Sequence, residues 1–275
     1  LLRNRVCKLF SFKIFINSWC MNVGERDEIL TKLTLIYNRD NGDGYIWSIM
    51  VAGKECKPLP DSIKALRDLD LLNDDDLIAI AKYCGCYKSP STHKADVAVN
   101  GVGISLKSLR GSPPAIINHT SRVGIKRVCD NNCDAGTQTI LDNAVQEYHR
   151  LRKAGAINED ISNDNVNSPF NPHKEELKKI LNYFVFKGTG ARDSKFPAQY
   201  VVDIDDPFDM STWKAYDESD FINKNWDKLV FSMRSSKGMG KYPNVKPDRK
   251  DCMSVWVEEH QEGKYSGALH VRLKK

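Results

Sequence analysis

Residues 93–109 read HKADVAVNGVGISLKSL, two short apolar runs separated by Asn100-Gly101. Asn-Gly between alternating runs is the strongest short-range hairpin signal, because a type I′ turn needs positive φ at both central positions. Counting outward from the turn pairs Val99 with Val102, Ala98 with Gly103, Val97 with Ile104 and Asp96 with Ser105. Side chains alternate faces along a strand, so Ser105 and Lys107 share a face. Asp96 stands across from Ser105 on that face, with Lys107 as its diagonal neighbour. Val97, Val99, Ile104 and Leu106 point the other way, into a core.

Outward from the hairpin, the pattern alternates helices and strands. GERDEILTKLTLIYNR (24–39) has apolar residues at helical spacing and acids in its first turn. GYIWSIMVAG reads as a strand, PDSIKALRDLDLL and NDDDLIAIAKY as two short helices, and GSPPAIINHT as a loop. GTQTILDNAVQEYHRLRKAG is a helix closed by Gly155, and KEELKKILNYFVF begins as a helix. QYVVDI, KLVFSMR, SVWVEE and GALHVRL are strand-like. The expected fold class is α/β (α+β), with a mixed β-sheet flanked by helices. The polar, turn-rich stretch INEDISNDNVNSPFNPH is the best internal boundary. It divides a catalytic core over 21–155 from a C-terminal part, 156–275, that completes the fold and recognises the substrate.

The chain has 275 residues, enough to bury a sizeable core. No apolar stretch reaches the roughly 18 residues that a membrane span needs. The start, LLRNRVCKLFSFKIFINSWC, is basic then apolar, but Lys13 and Asn17 interrupt it and no small-residue cleavage site follows. Residues 1–20 read as an N-terminal extension upstream of Met21. The cysteines at 7, 20, 56, 84, 86, 129, 133 and 252 are too scattered for a disulfide scaffold, which favours reduced thiols and a cytoplasmic setting. Cys84-Gly-Cys86 with Cys129 and Cys133 offers four thiolates for zinc, although neither half has CxxC spacing.

The formal net charge of +5 is unevenly distributed. Between Asp96 and Asp130 lie Lys107, Arg110, Arg122, Lys126 and Arg127 with no acid. A second basic stretch carries Arg234, Lys237, Lys241, Lys246, Arg249 and Lys250. Such asymmetry suggests a basic cleft for a polyanion, with phosphate as the natural partner. A carboxylate, a hydroxyl and an ammonium on one face suit metal-assisted phosphate chemistry. Asp96 would hold Mg²⁺, and Lys107 would orient or activate a water or neutralise the developing charge. The bland alternative is a cross-strand ion pair of small energetic weight.

KADV…ISLKS resembles the PD-(D/E)xK nuclease motif, in which an Asp opening one strand is followed by acid-x-Lys on the next. Asp96 and Lys107 match its two firmest positions; Ser105 departs from the usual acid, as it does in HpaII-like type II restriction endonucleases. NVGERDEIL, the 94–120 region and FVFKGTGARDSKFPAQ also resemble stretches of such enzymes. The resemblance implies a restriction-endonuclease-like fold and Mg²⁺-dependent, site-specific cleavage of double-stranded DNA. It further implies a bacterial source, a possible homodimer and a cognate DNA methyltransferase. An acid from the first helix often completes the metal site in this family, for which Glu28 is the first choice and Glu25 the second.

For DNA contacts, SLRGSPPAIINHTSR offers Arg110, Ser112, Asn118, His119, Thr120 and Arg122. The FKGTGARDSK stretch offers Lys187, Arg192 and Lys195, and the basic stretch near 240 offers Arg234, Lys237 and Lys241. Asp43 with Glu55-Cys56-Lys57 also fits D…ExK, but Gly53 and Pro58 bracket it and argue against a continuous strand. Two rival readings remain at this stage: another metal-dependent nuclease with the same core, and a DNA-binding module without catalysis.

Overall fold

The computed structural model describes residues 21–42, 44–235 and 246–274. The chain runs through α1 (Val23–Asn41), β1 (Ile49–Val51), β2 (Lys54–Glu55), α2 (Asp74–Cys84), β3 (Val97–Val99) and β4 (Val102–Ser108). It continues through β5 (Ala115–Ser121), α3 (Arg122–Asn132), α4 (Thr137–Lys153), β6 (Ile161–Ser162), α5 (Lys174–Asn182), β7 (Tyr200–Ile204) and β8 (Lys214–Tyr216). The last elements are α6 (Phe221–Asn225), β9 (Leu229–Arg234), α7 (Pro247–Ser254), the hairpin β10 (Glu258–Gln261) with β11 (Lys264–Ser266), and β12 (Ala268–Leu273).

The principal sheet has six strands in the order β2-β1-β3-β4-β7-β8. It is mixed: β4 and β7 run parallel, and every other neighbouring pair is antiparallel. A second sheet, β5-β12-β9-β6, is antiparallel throughout. The expected α/β (α+β) class with a helix-flanked mixed sheet is therefore what the chain adopts. β7 and β8, from the C-terminal half, complete the sheet begun by β1–β4. The turn-rich 156–172 stretch is itself built in, since β6 pairs with β9 and Phe170 is fully buried.

Two hydrophobic cores lie on opposite faces of the principal sheet. One packs Ile29, Leu33 and Ile36 of α1 and Leu77 of α2 against Val97, Leu106, Val202 and Ile204. The other joins Val201, Phe184, Phe186 and Phe221 to Ile117, Phe231 and Val271 of the second sheet. Cys84 and Cys86 belong to the first core and Cys129 to the second, with Cys133 packed against it. The four thiols therefore do not meet as a zinc site. Burial pushes the Cys84 thiol up to about 12, as expected of an inert apolar side chain.

Several local expectations differ from the structure. GSPPAIINHT is a strand from Ala115 onward, not a loop: Pro114 lacks only an N–H, its carbonyl accepts the Leu273 amide of β12 at 3.1 Å, and Ile117 is fully buried. PDSIKALRDLDLL forms only a 3-10 turn over Leu66–Leu71. The helix of KEELKKILNYFVF passes at Tyr183 into a π turn, whose aromatic side chains fill the second core. The helix α3, which turns Ile125, Val128 and Cys129 inward, is absent from the sequence expectations. SVWVEE is split between the end of α7 and the start of β10.

Candidate active site

The hairpin forms with the register counted from its turn: Val97 faces Ile104, Ala98 faces Gly103 and Val99 faces Val102. Asn100 and Gly101 take φ of 53° and 84°. The Asn100 side chain also anchors the turn, accepting the Trp47 amide at 3.0 Å and donating to the Tyr45 carbonyl at 2.8 Å. Gly103 is required here, because a Cβ would stand 2.4 Å from the Pro197 carbonyl oxygen.

Asp96 extends this ladder, its amide donating to the Ile104 carbonyl at 2.8 Å. Its Oδ2 accepts the Leu106 amide at 2.7 Å and the Ser105 hydroxyl at 3.2 Å. Ser105 thus holds the carboxylate with its hydroxyl. Oδ1 accepts no hydrogen bond from the described residues. Lys107, two residues beyond Ser105 and on the same face, has neither a hydrogen bond nor an ion pair among the described residues.

A cavity of about 120 Å³ opens over this face. His93, Lys94, Asp96, Ser105 and Lys107 line its polar side, with Phe184, Val185 and Phe221 across from them. The sequence reading missed Lys94. In extended chain Lys94 and Asp96 fall on one face, so the Lys-x-Asp spacing was the available signal. Burial, then the charge of Lys107, push Lys94 down to about 8, with Asp96 acting in the opposite direction. One carboxylate and two lysines make a wall suited to an anion.

Asp203 is a second residue that sequence reasoning passed over. It stands beside Lys107 in the parallel β4–β7 register, hence on the same face. It is only 8% exposed, and its Oδ1 is buried with no hydrogen-bond partner. Burial pushes its carboxyl up, while Lys107, Lys228 and Lys214 act against that shift. A lone acid inside the apolar run YVVDI was its signature, obscured by the acidic residues that follow.

Glu28 and Glu25 are not brought to Asp96. Helix α1 packs on the opposite face of the sheet, where Asp27 accepts the Ser108 hydroxyl at 2.5 Å. Glu28 pairs at 2.6 Å with Lys32, whose side chain is fully buried. Glu25 closes a capping box with Asn22 and pairs with Lys88 at 2.9 Å. Both acids line a separate small cavity with Met21, Ile78 and Tyr87. The rival acid Glu55 accepts from Ser48, Ile49 and Arg39 at the sheet edge; Asp43 lies outside the described residues. Among the described residues, no three His, Cys, Asp or Glu side chains form a group that could hold a metal.

The candidate DNA-contacting residues divide in two. Arg110 is engaged by Asp27, Arg122 by Asp142, Lys187 by Glu218, and Arg234 by Glu159 and Asp160. Ser112, Asn118, His119, Arg192 and Lys195 are exposed, and Thr120 is half-buried. Lys237 and Lys241 lie outside the described residues. Among those described, no helix is long and apolar enough to cross a membrane.

Comparison with family models, with curated proteins and with solved structures finds no match to this chain.

Proposed function

We propose that this protein is a Mg²⁺-dependent, site-specific endonuclease for double-stranded DNA, of the type II restriction class. One observation carries the reading: Asp96, Ser105 and Lys107 line one cavity wall, with the carboxylate fixed and the ammonium uncommitted. A surface ion pair would instead join Asp96 to Lys107 directly.

The residues fit Mg²⁺ in a form completed by substrate. Asp96 offers Oδ1, a hard oxygen free of protein hydrogen bonds, and Mg²⁺ is commonly held by one or two carboxylates together with substrate phosphate oxygens and water. Bound Mg²⁺ lowers the pKa of a coordinated water and offsets charge on the phosphate. Ser105 and the Leu106 amide keep the carboxylate aimed. Lys94 attracts the phosphate, and Lys107 orients the attacking water and donates to the charged oxygens. The apolar wall of Phe184, Val185 and Phe221 strengthens these interactions by limiting water.

Arg192 and Lys195 supply phosphate contacts, and Ser112, Asn118, His119 and Thr120 supply candidates for base contacts. A homodimer would match a twofold-symmetric site, and a cognate DNA methyltransferase would protect host DNA. Incubation of plasmid with protein and Mg²⁺ tests the proposal. Discrete fragments that vanish in Asp96→Asn and Lys107→Ala support it. Binding without cleavage, or cleavage unchanged in both variants, contradicts it.

A further inference from the structure

The least economical feature of the fold is Asp203. A buried carboxylate oxygen without a hydrogen bond is destabilising, yet this one sits on β7, between β4 and the edge strand β8, where Val201, Val202 and Ile204 beside it are apolar and buried. Its cross-strand partner on β4 is Lys107, whose ammonium is likewise uncommitted among the described residues. On the other side β8 places Lys214 opposite Asp203 in register. Lys228 also acts on it, and Tyr216 feels its charge. Of these groups, only Lys107 lines the cavity with Asp96.

We propose that Asp203 is the positioning residue of Lys107, acting through space as the buried counter-charge beside it in register, without a direct ion pair. This rests on the nuclease reading and sharpens it: Lys107 serves as a cation and hydrogen-bond donor to the phosphate and the attacking water, not as the base that deprotonates that water. In-register neighbours on parallel strands stand side by side on one face, and a nearby opposite charge favours the charged form of its neighbour. Lys94 on the far side of Lys107 acts in the opposite sense, since two ammonium groups repel. Asp203 is the buried negative charge that offsets it. The same arrangement accounts for a costly buried acid retained beside an otherwise apolar core.

The test measures the reactivity of Lys107 toward an acylating reagent as a function of pH, by mass spectrometry of intact folded protein. Wild type is compared with Asp203→Asn and Asp203→Val. Thermal unfolding is followed in parallel, and the pH profile of plasmid cleavage with Mg²⁺ is recorded. The proposal predicts that both variants remain folded with little change in Tm, because relief of the buried carboxylate's desolvation offsets the lost attraction to Lys107. The Lys107 midpoint falls by about one unit or more, and kcat falls at least tenfold with little change in DNA affinity. An unchanged Lys107 midpoint in either folded variant overturns it, whatever the cleavage result. A shifted midpoint with no cleavage by wild type leaves the Asp203–Lys107 relationship standing and removes the nuclease reading.

Discussion

The Leu106 amide donates to Oδ2 of Asp96 at 2.7 Å, so the residue between Ser105 and Lys107 fixes the carboxylate on the neighbouring strand. Asparagine at position 96 can still accept this bond, whereas alanine cannot. Asp96→Asn is therefore expected to abolish cleavage while keeping Tm close to wild type. Asp96→Ala loses cleavage and about 1–3 kcal/mol of stability as well, because it leaves the Leu106 amide without its acceptor. Plasmid cleavage together with denaturant unfolding separates the two effects.

Glu28 gives the opposite pattern. Its carboxylate faces the fully buried ammonium of Lys32 on the far side of the sheet. Glu28→Gln leaves that ammonium short of a counter-charge, so its expected effect is a lowered Tm. Cleavage per folded molecule stays near wild type. A loss of cleavage at full stability would make Glu28 a candidate metal ligand again.

The arginines of the basic stretches separate in the same way. Arg122 makes a bidentate pair with Asp142, which also accepts the Trp256 indole N–H at 2.7 Å. Arg122→Ala removes the counter-charge of this carboxylate, which keeps its hydrogen bonds from Gln138 and Trp256, and costs about 1–3 kcal/mol, without a specific loss of DNA affinity. Arg192→Ala and Lys195→Ala leave stability unchanged. Each reduces the salt dependence of DNA binding by about one unit of slope. Binding titrations at several salt concentrations distinguish the two classes.

His270 makes stability sensitive to acid. Burial, then the neighbouring His119, Arg234 and Arg272, hold its pKa below 6.5, with Asp160 acting the other way. Its Nδ1 is buried without a partner. The folded state therefore binds this proton less readily than the unfolded chain, so stability is lost as pH falls from about 6.5 toward the folded value. His270→Gln is expected to flatten that part of the Tm-versus-pH curve.

The hairpin was readable because its signals are local. Asn100-Gly101 sets the turn, the turn sets the register, and the register places Asp96, Ser105 and Lys107 on one face. Which other side chains join them depends on tertiary packing. α1 docks on the Leu106 face, which no period in its sequence announces, so Glu28 and Glu25 lie away from Asp96. β7 pairs in parallel with β4 across about a hundred residues, and this long-range register brings Asp203 beside Lys107. Charge patterning located the basic stretches but not their ion-pair partners, such as Asp27 for Arg110 and Asp142 for Arg122. β5 was concealed by Pro113-Pro114, a turn signal that also precedes strands.

The proposed activity places Mg²⁺-dependent DNA cleavage in the cavity over Asp96, Ser105 and Lys107. Its most direct measurement is sequencing of the ends produced from plasmid by wild type, Asp96→Asn and Lys107→Ala, with Mg²⁺ and with chelator. A single recurring sequence is expected at the wild-type ends, and intact plasmid with either variant or with chelator. Random ends, or the same fragments from the Asp96→Asn variant, would contradict it.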